Sequence, residues 1–94
     1  MPRLIAVKPL PHYRLWLRYA DGTEGEVDLS DLARQGVFIA WQDPDFFQRV
    51  RLGPHGEVQW SNDIELCADA LYLRLTGKKV EEIFPASAQV PQNA

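Results

Sequence analysis

The stretch YRLWLRYADGTEGEVDLSDL, residues 13–32, restricts what this chain can fold into more than any other. Apolar and charged residues alternate on both sides of Asp21-Gly22, the period of a strand. Successive strand side chains point to opposite faces, so pairing chemistry decides the loop length. A two-residue Asp21-Gly22 loop would set Leu17 against Glu26 and Leu15 against Asp28. A three-residue loop, Ala20-Asp21-Gly22, sets Tyr19 opposite Thr23, Leu17 opposite Gly25, Leu15 opposite Val27 and Tyr13 opposite Leu29. On the other face Arg18 meets Glu24, Trp16 meets Glu26 and Arg14 meets Asp28. Every pair is then compatible, with Gly22 supplying the left-handed residue of the turn.

The same test applies to RVRLGPHGEVQW, residues 49–60. A Pro54-His55-Gly56 loop pairs Leu52 with Val58 and Val50 with Trp60, and leaves Arg51 beside Gln59 outside. Proline suits the second turn position and glycine the position that needs positive φ. PRLIAVKPL reads as an N-terminal strand ended by Pro9 and Pro11.

Helical signals fill the gaps. In DLSDLARQG, Asp28 or Ser30 caps, Leu29 and Leu32 face inward, and Gly36 stops the helix. GVFIAW reads as a short strand or a buried extended connector. QDPDFFQRV has Asp43 as cap, Pro44 in the first helical position, and Phe47 and Val50 inward. ADALYLRLT, residues 68–76, places Leu71, Tyr72 and Leu75 on one stripe, with Asp69 at the positive end of the dipole and Gly77 beyond the last turn. KKVEEIF could add one more turn.

The chain has 94 residues, 46% hydrophobic and 24% charged, which is globular composition and room for one core. The expected architecture is a single α+β domain over residues 1–84. It has a small antiparallel sheet of two β-hairpins plus the N-terminal strand, with two or three short helices on one face. PASAQVPQNA, residues 85–94, is expected to be a disordered tail. The lone Cys67 excludes an internal disulfide and suits a reducing compartment. No run approaches the length of a membrane span, and the start is too broken by proline for a signal peptide. A soluble, cytoplasmic protein is the expectation.

The segments LRYADGTEGEVDL, DPDFFQRVRL, and VQW followed by an Asn/Asp turn and ADALY, taken together over residues 3–75, resemble the bacterial family catalogued as domain of unknown function 2442. The resemblance implies a small α+β fold with an antiparallel sheet. It also implies that some relatives carry an appended helix-turn-helix domain and that some lie beside genes of toxin–antitoxin type. It brings no catalytic residues. Cys67 and Ala68 stand where the family usually has an Asp-Pro pair, and no stretch after residue 77 is long enough for the appended domain.

Two places could carry function. Along WSNDIELCADALYLRLTG, Trp60 reads first as core, Asn62 and Asp63 as a turn, Glu65 as a solvated residue and Cys67 as a small helix-start residue. A ligand-binding or catalytic corner over Asn62–Cys67 is the alternative. Arg14, Trp16 and Arg18 alternate base and aromatic on one sheet face and form the candidate interaction surface. The facing Glu24, Glu26 and Asp28 argue for solvated ion pairs, and so does the net charge of −3. One cysteine with His12 and His55 far apart makes no zinc spacing, and the acidic set of Asp21, Glu24, Glu26, Asp28 and Asp31 is read as pairing partners. No metal or cofactor is expected. The leading expectation is a non-catalytic protein-interaction or regulatory, antitoxin-like module that binds a protein partner or a second copy. Accessory nucleic-acid binding stands as an alternative.

Overall fold

The computed structural model describes residues 1–77, so the expectations for residues 78–94 lie outside it. The first sheet is a meander of β1 (Leu4–Leu10), β2 (Arg14–Tyr19) and β3 (Glu24–Asp28), in that order and antiparallel. The β2–β3 register is the one the pairing chemistry demands, Leu17 opposite Gly25 and Leu15 opposite Val27. The turn closes by Tyr19 and Thr23, whose amide and carbonyl lie 2.8 Å apart, with Gly22 at φ 90°. Leu15, Leu17 and Tyr19 are consequently sealed from solvent.

β1 runs through Pro9 to Leu10 rather than stopping at the proline. An outer strand tolerates a missing amide hydrogen. Both Leu4 and Val7 must face inward, opposite Tyr19 and Leu17, and their odd spacing is absorbed by a bulge that leaves Ile5 in solvent. The link to β2 is Pro11-His12-Tyr13, in which His12 and Tyr13 both take left-handed backbone, φ 65° and 61°.

The remaining strands form a second sheet rather than extending the first. β4 (Arg51–Leu52), β5 (Val58–Ser61) and β6 (Ile64–Leu66) pair antiparallel. The Pro54-His55-Gly56 loop is as expected, and Leu52 pairs with Val58. Leu52 nevertheless remains 39% exposed, because β4 is a two-residue outer strand at the sheet margin. The ladder stops short of Val50 and Trp60. Instead the Arg51 guanidinium donates to the Trp60 carbonyl at 3.1 Å, beside the bulge between Gln59 and Ser61. Asn62-Asp63 turns the chain back into β6, a strand that the sequence pattern did not reveal.

Residues 29–35 form successive i→i−3 turns in place of a helix, with Asp28 accepting the Ser30 amide at 2.9 Å. Leu29 and Ala33 are buried and Leu32 only half-buried. Residues Gly36–Gln42 are a 3₁₀ helix where extended chain was expected. Side chains three apart eclipse in that geometry, which stacks Phe38 against Trp41 at 4.7 Å and turns Val37 and Ile39 outward. A strand would have put Trp41 on the same face as those two.

Helix α1 (Pro44–Phe47) starts as expected, the Asp43 carboxylate accepting the Asp45 amide at 3.0 Å. Helix α2 (Ala68–Thr76) ends at Gly77, φ 72°, whose amide donates to the Leu73 carbonyl. Two tyrosines fasten α2 to the first hairpin. The Tyr19 hydroxyl donates to the Ala68 carbonyl at 2.7 Å and the Tyr72 hydroxyl to Asp21 at 2.8 Å, their rings meeting edge to face. Gly25 makes room for the helix, since a Cβ there would lie 3.0 Å from the Leu75 Cδ1.

That close approach gives a test. Gly25→Val should destabilise the fold by about 1–3 kcal/mol through overpacking against Leu75, with backbone strain at φ 159° adding to the loss. Adding Leu75→Ala should recover part of the loss in urea unfolding, a positive coupling between the two sites.

Candidate functional site

The outer face of the first sheet is set by alternation on β2. Arg14, Trp16 and Arg18 point away from the core, flanked by Leu10, Lys8 and Ala6 on β1 and by Asp28, Glu26 and Glu24 on β3. The structure therefore brings the three sequence candidates together in one column. Their contacts are less regular than the register suggests. Arg14 reaches diagonally to Glu26 at 3.6 Å rather than across to Asp28, whose carboxylate is engaged by the Ser30 amide and whose carbonyl accepts from Arg74 at 3.0 Å. Arg18 stands opposite Glu24 without an ion pair among the described residues. Trp16 is half-buried, and the Lys8 ammonium lies 5.4 Å from its ring centroid. Sequence reading missed Lys8, which the β1–β2 register alone places there. The face thus carries three cations and three carboxylates around one aromatic ring.

The corner after β5 resolves into separate parts. Trp60 is core: its ring lies 4.7 Å from Trp41 and 5.8 Å from Phe47, and its indole N–H donates to the Phe47 carbonyl at 2.9 Å. Asn62, Asp63 and Glu65 are exposed on the β5–β6 hairpin. Cys67 is exposed at the start of α2 and makes no capping hydrogen bond. A cleft of about 500 Å³ beside it is lined by Glu65, Cys67 and Asp69, by Arg3 of the N-terminal segment and by His55 at the β4–β5 tip. Cys67 and His55, distant in sequence, share this cleft. No cluster of three metal-ligating side chains occurs among the described residues.

A second cleft, about 440 Å³, opens under the β1–β2 turn against the 3₁₀ helix and α1. Pro9, Pro11 and Pro44 wall it, and Tyr13, Trp41 and Phe47 contribute aromatic surface. Tyr13 meets Phe47 edge-on at 5.8 Å, and its carbonyl accepts the Leu29 amide at 2.8 Å. The buried Trp41 indole nitrogen has no hydrogen-bond partner among the described residues and sits among the rings of Phe38, Phe47 and Trp60.

Burial pushes the Tyr19 phenol well above its ordinary range, and the nearby Asp69 carboxylate adds to the rise. Asp21 and Asp28 move the other way. The Thr23 amide and then the Tyr72 hydroxyl hold Asp21 below the usual carboxylate range, and the Ser30 amide, with Arg14 and Arg74 further off, does the same for Asp28.

The element order, the two three-stranded antiparallel sheets and the short helices define a small α+β domain. The chain belongs to the family described as "Protein of unknown function (DUF2442)", whose profile matches residues 4–77. It is also similar, at 31% identity and a TM-score of 0.76, to NE0471 from Nitrosomonas europaea ATCC 19718, a crystal structure described provisionally as that of a DNA-binding protein. The similarity covers 92% of this chain and 58% of that one, so this chain spans little more than half of NE0471. Among curated proteins, none matches this chain significantly. No helix of the described residues is long and apolar enough to cross a membrane.

The two lowered aspartates predict an acid transition. Carboxylates depressed in the folded state give stability that is complete above the unfolded value of about 4 and is lost as pH falls through the folded values. Thermal midpoints should be flat from that range to about pH 9 and decline below it, with a separate alkaline decline as Tyr19 resists ionising in the fold. Asp21→Asn should lower the midpoint at neutral pH and make the acid decline shallower.

Proposed function

We propose that this chain is a non-catalytic recognition module of a regulatory, antitoxin-like system in the cytoplasm, and that it contacts a protein partner through the outer face of β1–β3. The observation that carries the reading is the half-buried Trp16, set among Lys8, Arg14 and Arg18 on one side and Glu24, Glu26 and Asp28 on the other. Interface cores favour tryptophan and arginine. Charges of both signs around an aromatic anchor give register and selectivity against another protein surface. The exposed Arg14–Glu26 pair contributes little to folding, so its groups remain usable by a partner at small cost.

A second reading, accessory nucleic-acid binding, is supported by the provisional DNA-binding description of NE0471 and by the cation–aromatic column itself. Against it stand the three carboxylates of β3, which repel phosphate, and the net charge of −3.

Trp16→Ala separates these from a purely structural face. The expected result is loss of specific proteins from affinity capture, or a reduced mass in light scattering if the partner is a second copy, with thermal stability nearly unchanged. Unchanged mass and unchanged captured proteins would remove the proposal. For the second reading, labelled duplex and single strands titrated at low salt should show no saturable binding at micromolar protein; saturable binding abolished by Arg18→Glu would establish it instead.

A further inference from the structure

The cleft under the β1–β2 turn differs from the rest of the surface in charge. Charged residues make up 24% of the chain, yet no Asp, Glu, Lys or Arg lines this space of about 440 Å³. That volume lies within the range of small-molecule sites, which are mostly apolar with a few polar groups that fix orientation. Here the polar groups are His12, Gln42 and Gln48. The Gln42 amide nitrogen donates to the Ala33 carbonyl at 3.3 Å, which orients the side chain and leaves its oxygen as an acceptor. The Gln48 side chain makes no hydrogen bond among the described residues and is exposed at the rim, offering one donor group and one acceptor.

The backbone adds an independent observation. His12 and Tyr13 are consecutive left-handed residues, φ 65° and 61°, where glycine would turn the chain without strain. Strain of this kind concentrates at ligand clamps. The Tyr13 ring lies against Phe47, and His12 lines the same cleft.

We propose that this cleft binds a small, uncharged, planar molecule with an amide-like hydrogen-bonding edge. The ring of the ligand packs on the Tyr13 side and the proline walls. Its edge donates to the Gln42 oxygen and exchanges hydrogen bonds with the Gln48 amide. A carboxylate or ammonium ligand would shed hydration without meeting a counter-charge, so the site rejects ions. This proposal is independent of the Trp16 column, since neither Trp16 nor any charged residue of that face lines the cleft and the two share only Leu10.

The test uses the full chain at pH 8 with three neutral probes, indole-3-carboxamide, nicotinamide and uracil, and two charged ones, indole-3-carboxylate and tryptamine. Amide-resolved NMR titration should show saturable shifts for at least one neutral probe, at the Trp41 indole N–H, the Tyr13 amide and the side-chain amides of Gln42 and Gln48. The charged indoles should bind at least tenfold more weakly than indole-3-carboxamide. Gln48→Ala, an exposed change that preserves the folded spectrum, should weaken binding severalfold, and Trp16→Ala should not. Absence of saturable shifts with all three neutral probes overturns the proposal. So do shifts mapping away from the cleft, or equal binding of charged and neutral indoles.

Discussion

The alternation of β2 is the constraint on which the rest depends. A three-residue glycine turn, rather than a two-residue one, decides that Leu15, Leu17 and Tyr19 go in and that Arg14, Trp16 and Arg18 go out. A slip of one residue would bury two guanidinium groups with no partners, which costs far more than any packing could return. Once Tyr19 is inside, its hydroxyl needs an acceptor and finds the Ala68 carbonyl. The position of α2 therefore follows from the same turn. Leu17 facing a glycine rather than a side chain then admits Leu75, and the helix closes that side of the core.

The two sheets are held together by aromatic rings. Tyr13 from the β1–β2 link, Trp60 from the second sheet, Phe47 of α1 and Trp41 of the 3₁₀ helix form a chain of edge and tilted contacts at 4.7–5.8 Å. Contacts of this kind add about 0.5–1.5 kcal/mol each beyond area burial. The single directional tie within the cluster is the Trp60 indole donating to the Phe47 carbonyl. Trp41 is ringed by other aromatic side chains, and its buried N–H has no hydrogen-bond partner among the described residues. The cleft beside Tyr13 takes its shape from this cluster.

How much was legible in the sequence depends on the range of the forces involved. The hairpin registers could be read because pairing across a tight turn is local, and Ala68–Thr76 because its stripe and Gly77 are local too. Gly36–Gln42 was misread because its apolar run fits several periods, and the contact of Phe38 with Trp41 within the core decides between them. β6 is too short to show an alternation of its own. The site was legible in part. Register put Arg14, Trp16 and Arg18 in one column, but it could not foresee that Arg14 would lean to Glu26, that Lys8 would cover Trp16, or that His55 and Cys67 would share a cleft. Those depend on rotamers and on contacts between segments far apart in the chain.

β1 is the outer member of the first sheet, and it is a poor template. Pro9 has no amide hydrogen to offer, and the bulge puts Ile5 out of step with the ladder. An incoming extended chain would find an interrupted row of donors at one end and a displaced one at the other. On the β1 side, therefore, the chemistry of the strand itself disfavours the addition of a fourth strand and with it fibrous growth through that margin.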